Sequence, residues 1–521
     1  MTHLIQNPIL RGFNPDPSIL RVEDTYYIAV SSFEWLPGIR VYSSQNLADW
    51  EHCTDILTDQ VDLRGNAKNC SIWAPQLSYS DGLFYLLYTD VKSTKRPFKD
   101  DHNFLITATS ITGPWSEPIY LNSSGFDPSL YHDEDGRKWL LNALWDYRIT
   151  EGNKSSGIVM QEYDAAAKQL VGKPIKLFDC TPLKKTEAPH IYKLNGYYYL
   201  ITAEGGTGIG HSVTVARSKE LTGPYEVDPL NPMLTSSDRL DWPLQCAGHG
   251  SLVQTPGGEW YMAHLCTRPV EGKYAILGRE TALQQVYWDA DGWLRLTAGG
   301  HTPQLGVPAP QGVEVKPRED GHRFEDHFDG PQLHKNWNTA RILPDESWCS
   351  LKARPGYLRV VSGESLQSLF RHHLLAIRQT DMEFRAETAV DYQPDSYLQM
   401  AGLLLYLNDD NYLYAYITHD EQHGRVLRKL KCEADTFSLV PEMIPLDADS
   451  TVELAVEVHD TVGQFYYKLS EEEGWKPLFG EENISFLSGG FTGNFVGIAV
   501  HDMQQFNGSY ADFSHFSYVG S

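Results

Sequence analysis

Three acidic residues head short apolar segments that lie far apart in the chain: Asp16 in NPDPSIL (14–20), Asp127 in GFDPSLYH (125–132) and Glu187 in TEAPHIYK (186–193). His249 heads a fourth segment, GHGSLVQ (248–254), and Pro75 and Gln76 open a fifth, APQLSY (74–79). Taken alone, an aspartate between two prolines reads as a turn before a strand, because the rings fix φ and Asn, Asp and Ser favour turns. Gathered around one hollow, the same three carboxyls could do acid–base chemistry. One would stay ionised and activate water, one would stay protonated and release a leaving group, and the third would raise its neighbour's pKa by like-charge repulsion. Two carboxyls facing each other across a pocket are the minimum equipment for cleaving a glycosidic bond. A calcium cage fits less well, because calcium takes six to eight oxygens from closely spaced ligands.

Such a gathering needs a fold that returns the chain to one axis, and the sequence repeats in a way that supplies it. After each heading segment comes an aromatic-rich strand entered by a turn: RVEDTYYIAVSS (21–32), SDGLFYLLYTD (80–90), EDGRKWLLNAL (134–144), LNGYYYLITAEG (194–205) and PGGEWYMAHL (256–265). A third strand follows in each unit, for example IRVYSSQNLADW (39–50) and HSVTVARSKELTGPY (211–225). One mostly-strand unit of about 60 residues thus recurs five times. A single sandwich does not explain that period, whereas radially stacked blades bury such units against each other. The expectation is an all-β chain with a five-bladed β-propeller over residues 1–305, its innermost strands carrying the acids to the axis.

Residues 301–320 are rich in Pro and Gly with no apolar period, so 306–321 reads as a linker. Alternating strands beyond it, such as AGLLLYLN (401–408) and TVELAVEVH (451–459), predict an antiparallel sandwich over 322–521.

The motifs NPDPS (14–18), WAP (73–75), GFDPSLYHDEDG (125–136), TEAPH (186–190), TAEGG (202–206), GHGS (248–251) and LGRET (277–281) resemble glycoside hydrolase family 43, in its β-xylosidase branch with a C-terminal concanavalin-like sandwich. The resemblance implies an inverting mechanism with Asp16 as general base, Glu187 as general acid and Asp127 tuning and orienting the acid. It further implies that Arg279 binds the hydroxyls of the terminal sugar, that Trp73, Phe33 and Trp145 wall the pocket, and that Thr207 reaches a second sugar. His249 would lie at the propeller axis, holding water or a calcium ion; a neutral, hydrogen-bonded core histidine is the plainer reading, and no cofactor is required. Phe491 or Phe495, in GGFTGNFVGIAV (489–500), would help close the pocket. The chain departs from the branch at Ala188, where glycine is frequent, at Gln76, where an acid is common, and in a short loop at 266–280.

The formal charge of −25 disfavours nucleic acid and anionic lipid as partners and suits a small neutral oligosaccharide. No apolar run approaches the roughly 18 residues of a membrane span. The N-terminus MTHLIQNPILRG has no basic-then-apolar signal pattern, and seven scattered cysteines without a CxxC suit reduced thiols, so a cytoplasmic location is expected. The resemblance implies a homo-oligomer, dimer or tetramer. The leading expectation is an exo-acting β-1,4-xylosidase with α-L-arabinofuranosidase side activity. Its rivals are a main activity on arabinofuranosides, a non-catalytic carbohydrate binder, and a retaining enzyme acting on fructosides.

Overall fold

The computed structural model describes residues 4–318, 321–447, 450–470, 472–504 and 507–521. Every regular element among them is a β-strand. Residues 18–296 form five separate antiparallel sheets, each built from consecutive segments of chain, and these are the five blades. Blade 1 runs Ser18–Val22, Thr25–Val30, Ile39–Ser44 and Glu51–Ile56. Blades 3 and 5 have the same four-strand order, starting at Gly125–His132 and Gln245–Gln254. In blade 2 the innermost position is split between Ser71–Ile72 and Gln76–Ser80, and in blade 4 the outermost is split between Glu226–Val227 and Leu234–Thr235. The three strands expected per unit are therefore the inner three of four.

Side chains on the inner strands stitch each blade to the next. Ser18 Oγ accepts from the Leu77 backbone N–H, and the Gln76 side-chain oxygen accepts from that of Leu130. Ser129 Oγ donates to the Pro189 carbonyl, and Tyr192 OH accepts from the Leu252 N–H. Ser251 closes the ring by accepting from the Ile19 N–H and donating to the Pro17 carbonyl. Polar groups buried at the crowded axis must find partners, and here they find them across each of the five blade boundaries in turn. Gln76, the departure from the family pattern, is one of the stitches.

The segment expected as a linker begins with a strand of the propeller: Gly306–Pro308 pairs antiparallel with Leu4–Gln6, so chain entry and exit are zipped together. The second domain packs a nine-stranded sheet on a seven-stranded one. Its core includes Leu403, Leu405 and Leu407 from the strand Gln399–Asn408. The intervening Leu404 and Tyr406 point the other way and share a core with Phe13, Phe33, Trp35 and Trp73 of the propeller. The unbroken apolar run LLLYL thus serves a sheet buried on both faces. Trp35–Leu36 pairs with Thr339–Ala340 as a short ribbon between the domains, and the Trp35 ring stacks on Phe495 at 3.6 Å.

Candidate active site

Asp16, Asp127 and His249 stand at matching places on three inner strands, each just ahead of a Pro or Gly and then the stitching serine. All three have left-handed φ, at 55°, 54° and 56°. Asn and Asp tolerate that region better than most residues, and a non-glycine residue there is a mark of imposed geometry. The fourth blade places Ala188 at this position, with φ 51°, not Glu187. Glu187 is one residue earlier, so the three acids are not strictly equivalent in the repeat. In register Glu187 takes the place that Phe126 holds in blade 3, and it still lines the axial cavity. Left-handed φ at Ala188 gives the physical reason that glycine suits the position.

All nine residues anticipated from sequence line one cavity of about 570 Å³: Asp16, Asp127 and Glu187, with Phe33, Trp73, Trp145, Thr207, His249 and Arg279. Arg279 does more than face the cavity. Its Nη1 donates to Asp16 Oδ1 at 2.8 Å and its Nη2 to Asp16 Oδ2 at 3.2 Å, a bidentate pair buried at both ends. Ser31 Oγ donates to Asp16 Oδ2 at 2.6 Å, and His249 Nδ1 lies 3.5 Å from Oδ1. Burial alone would raise the Asp16 pKa; Arg279, His249 and Ser31 together outweigh it and hold the carboxyl below the usual carboxylate value. Glu187 has the opposite balance. Burial, reinforced by the Asp16 charge, pushes it up to about 7 against the pull of Lys99 and Arg279. Asp127 is raised by burial and by the charges of Glu187 and Asp16, and its Oδ2 accepts from the Ala188 N–H at 3.2 Å. One pocket therefore holds an ionised carboxylate beside two carboxyls that resist ionisation.

Burial, with the Arg279 charge, keeps His249 below the usual imidazole value against the pull of Asp16. The donor set does not fit calcium: among the described residues no group of three or more His, Cys, Asp or Glu side chains is placed to hold a metal ion. One imidazole and a carboxylate already gripped by a guanidinium do not make the oxygen-rich shell that calcium takes.

The walls are aromatic. Phe33 lies 6.2 Å from Trp73 and 5.8 Å from Phe491, and Trp73 lies 5.5 Å from both Phe126 and Phe491. Indole N–H groups anchor two of the rings, Trp73 to the Asn69 carbonyl and Trp145 to the Pro97 carbonyl. Phe491 comes from the second domain and lines the cavity; Phe495 lies behind the site in the shared core. Two features hold the Phe491 loop down: Arg279 Nε donates to the Phe491 carbonyl, and the Phe491 N–H donates to Asn69 Oδ1. The loop also approaches the propeller at a glycine pair. A Cβ on Gly278 (φ +74°) would stand 2.6 Å from the Gly493 Cα, which no side chain tolerates.

Sequence reasoning missed Lys99. Its Nζ sits 3.6 Å from the Phe126 ring centre, 4.3 Å from Trp73 and 4.7 Å from Trp145. A lysine in the turn KRPFKDD carries no signal of that destination, because the turn bends back over the pocket only in three dimensions.

An aromatic-walled cavity with carboxyls of opposed pKa at a propeller axis defines a carbohydrate-cleaving hydrolase. Comparison with known proteins agrees. The model for glycosyl hydrolases family 43 matches residues 5–294, and that for the beta-xylosidase C-terminal concanavalin A-like domain matches 325–519. The chain is 43% identical to a beta-xylosidase of Bacillus subtilis strain 168, covering 99% of each chain. It is also 43% identical to xylosidase/arabinosidase 43B of Humicola insolens, over 99% of this chain and 97% of the other. The solved structure of xylan beta-1,4-xylosidase from Bacillus halodurans C-125 superposes with a TM-score of 0.95 at 47% identity, covering 99% of this chain and 100% of that one. The chain belongs to glycosyl hydrolase family 43.

Proposed function

We propose that this enzyme is an exo-acting, inverting β-1,4-xylosidase that removes xylose from the non-reducing end of short xylo-oligosaccharides in a cytoplasm. The observation that carries the reading is the split in carboxyl pKa within a single cavity. Asp16, held ionised by Arg279, is the general base that takes a proton from water. Glu187, held protonated near neutral pH, is the general acid that delivers a proton to the leaving oxygen. Asp127, its own pKa raised by burial and by the charges of Glu187 and Asp16, positions the 187–188 backbone through its bond from Ala188. Arg279, fixed over Asp16, and Trp73, Phe33, Trp145 and Phe491 receive the terminal sugar; Thr207, on the rim, reaches the next. No step passes through a metal ion.

Exo action on short chains is supported by what lies below the acids. Ser18, Gln76, Ser129, His190 and Ser251 line a separate axial cavity of about 360 Å³ that shares no lining residue with the first. A polymer is not threaded through such a divided channel. The cytoplasmic setting is supported by seven unpaired cysteines; no helix among the described residues is long and apolar enough to cross a membrane. Assembly as a homo-oligomer, dimer or tetramer, remains part of the proposal and is read by light scattering.

Hydrolysis of xylobiose followed by NMR tests the reading. The first-formed xylose should be the α-anomer, and Glu187→Gln should lose about 10²–10⁴-fold in turnover with binding largely kept. Release of the β-anomer, or turnover that survives in Glu187→Gln, would overturn it. A second reading, main activity on α-L-arabinofuranosides, is favoured by the Humicola insolens relative whose name joins both activities. A higher kcat/KM on nitrophenyl arabinofuranoside than on the xyloside would establish it.

A further inference from the structure

A second cavity, of about 610 Å³, lies where blade 1 and the chain entry meet the sandwich. Its lining carries six cationic side chains, Arg11, Arg40, Arg318, Arg323, Lys335 and Arg378, and one carboxylate, Glu51. In a chain of formal charge −25 this is a concentrated inversion of sign. Carboxylates behind the lining account for two of the six: Asp55 lies 3.4 Å from Arg40 and Asp381 3.6 Å from Arg11. The other four have no carboxylate within ion-pair distance among the described residues, although Asp55 pulls on Arg378, and Glu280 and Asp381 on Arg318, from farther off.

Arg378 is the telling member. It is 6% exposed, at the end of the strand His373–Arg378. Its Nη1 donates only to neutral acceptors, Asn14 Oδ1 at 2.7 Å and Tyr42 OH at 3.3 Å, and its buried Nε has no partner. A buried guanidinium with no carboxylate in direct contact is costly to hold. Burial and the Arg40 charge push its pKa down to about 10, outweighing the pull of Tyr42 and Asp55. Arg318, Arg323 and Lys335 are exposed around the same cavity, placed to draw an anion toward that floor.

We propose that this interdomain cavity binds a small oxyanion of two or more negative charges, a phosphate or a polycarboxylate, on Arg378, with Arg323 and Lys335 at its mouth. The site is separate from the glycosidase chemistry and is joined to it through Asn14. That residue, two positions before Asp16, takes the Arg378 bond on its side chain, and its backbone N–H donates to the Arg279 carbonyl. An anion that drew Arg378 away from Asn14 would loosen the support of the Asp16–Arg279 pair.

Isothermal titration of the full chain tests the site, with inorganic phosphate in one arm and citrate in the other, at ionic strength fixed with chloride. One saturable site per chain is expected for at least one probe, and the probe that binds identifies phosphate or carboxylate chemistry. Arg378→Gln should weaken binding by about tenfold or more, since hydrogen bonds to charged groups are the strong ones. That variant also loses the Asn14 contact, so the double variant Arg323→Gln/Lys335→Gln serves as the independent arm. Its thermal unfolding should be unchanged and its affinity about three- to tenfold lower, as for two solvent-exposed charges. No saturable heat with either probe up to about 10 mM, or affinity that both variants leave untouched, overturns the proposal.

Discussion

Replacing Arg279 by methionine isolates the interaction on which the assignment of the base depends. The change keeps much of the side-chain volume and removes the charge. Asp16 would lose two charge-assisted hydrogen bonds, at 2.8 and 3.2 Å, while staying buried and keeping Ser31 Oγ at 2.6 Å. An opposite charge this close lowers a carboxyl pKa by about 1–3 units, so its loss should raise the Asp16 pKa by that much. The rise should fall in the lower part of that range, because Arg279 also depresses His249, which becomes easier to protonate and substitutes in part. Glu187 responds less, since Arg279 acts on it more weakly than burial, Lys99 and Asp16 do. The assay is kcat/KM against pH on nitrophenyl xyloside, which reports the free enzyme's groups. The acid limb should move up by about 1–2 pH units, and the alkaline limb should move much less. The same shift has a stability counterpart. A carboxyl depressed in the folded state contributes stability that is present above its unfolded pKa and is lost as pH falls through the folded value. The wild type keeps that contribution to lower pH, so acid unfolding of the variant should begin at higher pH. An acid limb that stays in place, or two limbs that move equally, would refute the pairing of Arg279 with an ionised base.

Other perturbations test separate parts of the site. In the wild type the alkaline limb should fall at about pH 7, where Glu187 loses its proton; Lys99→Met removes the strongest charge opposing its protonation, so that limb should move upward. Asn69→Ala removes the bond that holds the Phe491 N–H and should raise KM more than it lowers kcat in steady-state kinetics. Phe495→Ala empties the stack on Trp35 at the domain interface and should cost about 3–5 kcal/mol, read as a lower Tm by calorimetry.

Asp16 and Asp127 were legible because their surroundings repeat: a residue forced left-handed, a proline, a stitching serine, an apolar strand. Glu187 was found by the same kind of segment although it sits one place off the pattern, at the register position that Phe126 holds in blade 3. The fourth strands of the blades were not legible. Gln169–Phe178 is mostly exposed and Glu226–Val227 fully so, and outer strands with little to bury lose the alternation that marks a strand. Lys99 and Arg378 escaped for a different reason. Each is a cation whose meaning comes from what other segments place around it, three rings in one case and neutral acceptors in the other. Arg279 was anticipated as a sugar contact; its bidentate grip on Asp16 also helps hold that carboxyl below the usual carboxylate value.

The second domain is a structural part of the catalytic cavity. Phe491 supplies one wall, and its carbonyl takes the Arg279 Nε–H, so the guanidinium that fixes Asp16 is itself oriented from across the domain boundary. The close approach that permits this rests on Gly278 against Gly493, where any side chain would force the loops apart. Beneath that contact the seven-stranded sheet is apolar on both faces, one for its own partner sheet and one for the propeller. Separation of the domains would expose that second face, and the hydrophobic cost of doing so opposes any opening of the pocket on this side. Substrate must therefore enter past the Lys99 turn and the rim residues Arg96, Asn153 and Thr207 that line the same cavity. An entrance restricted to that rim selects for chain ends, which ties exo action to the docking of the sandwich as much as to the carboxyls at the axis.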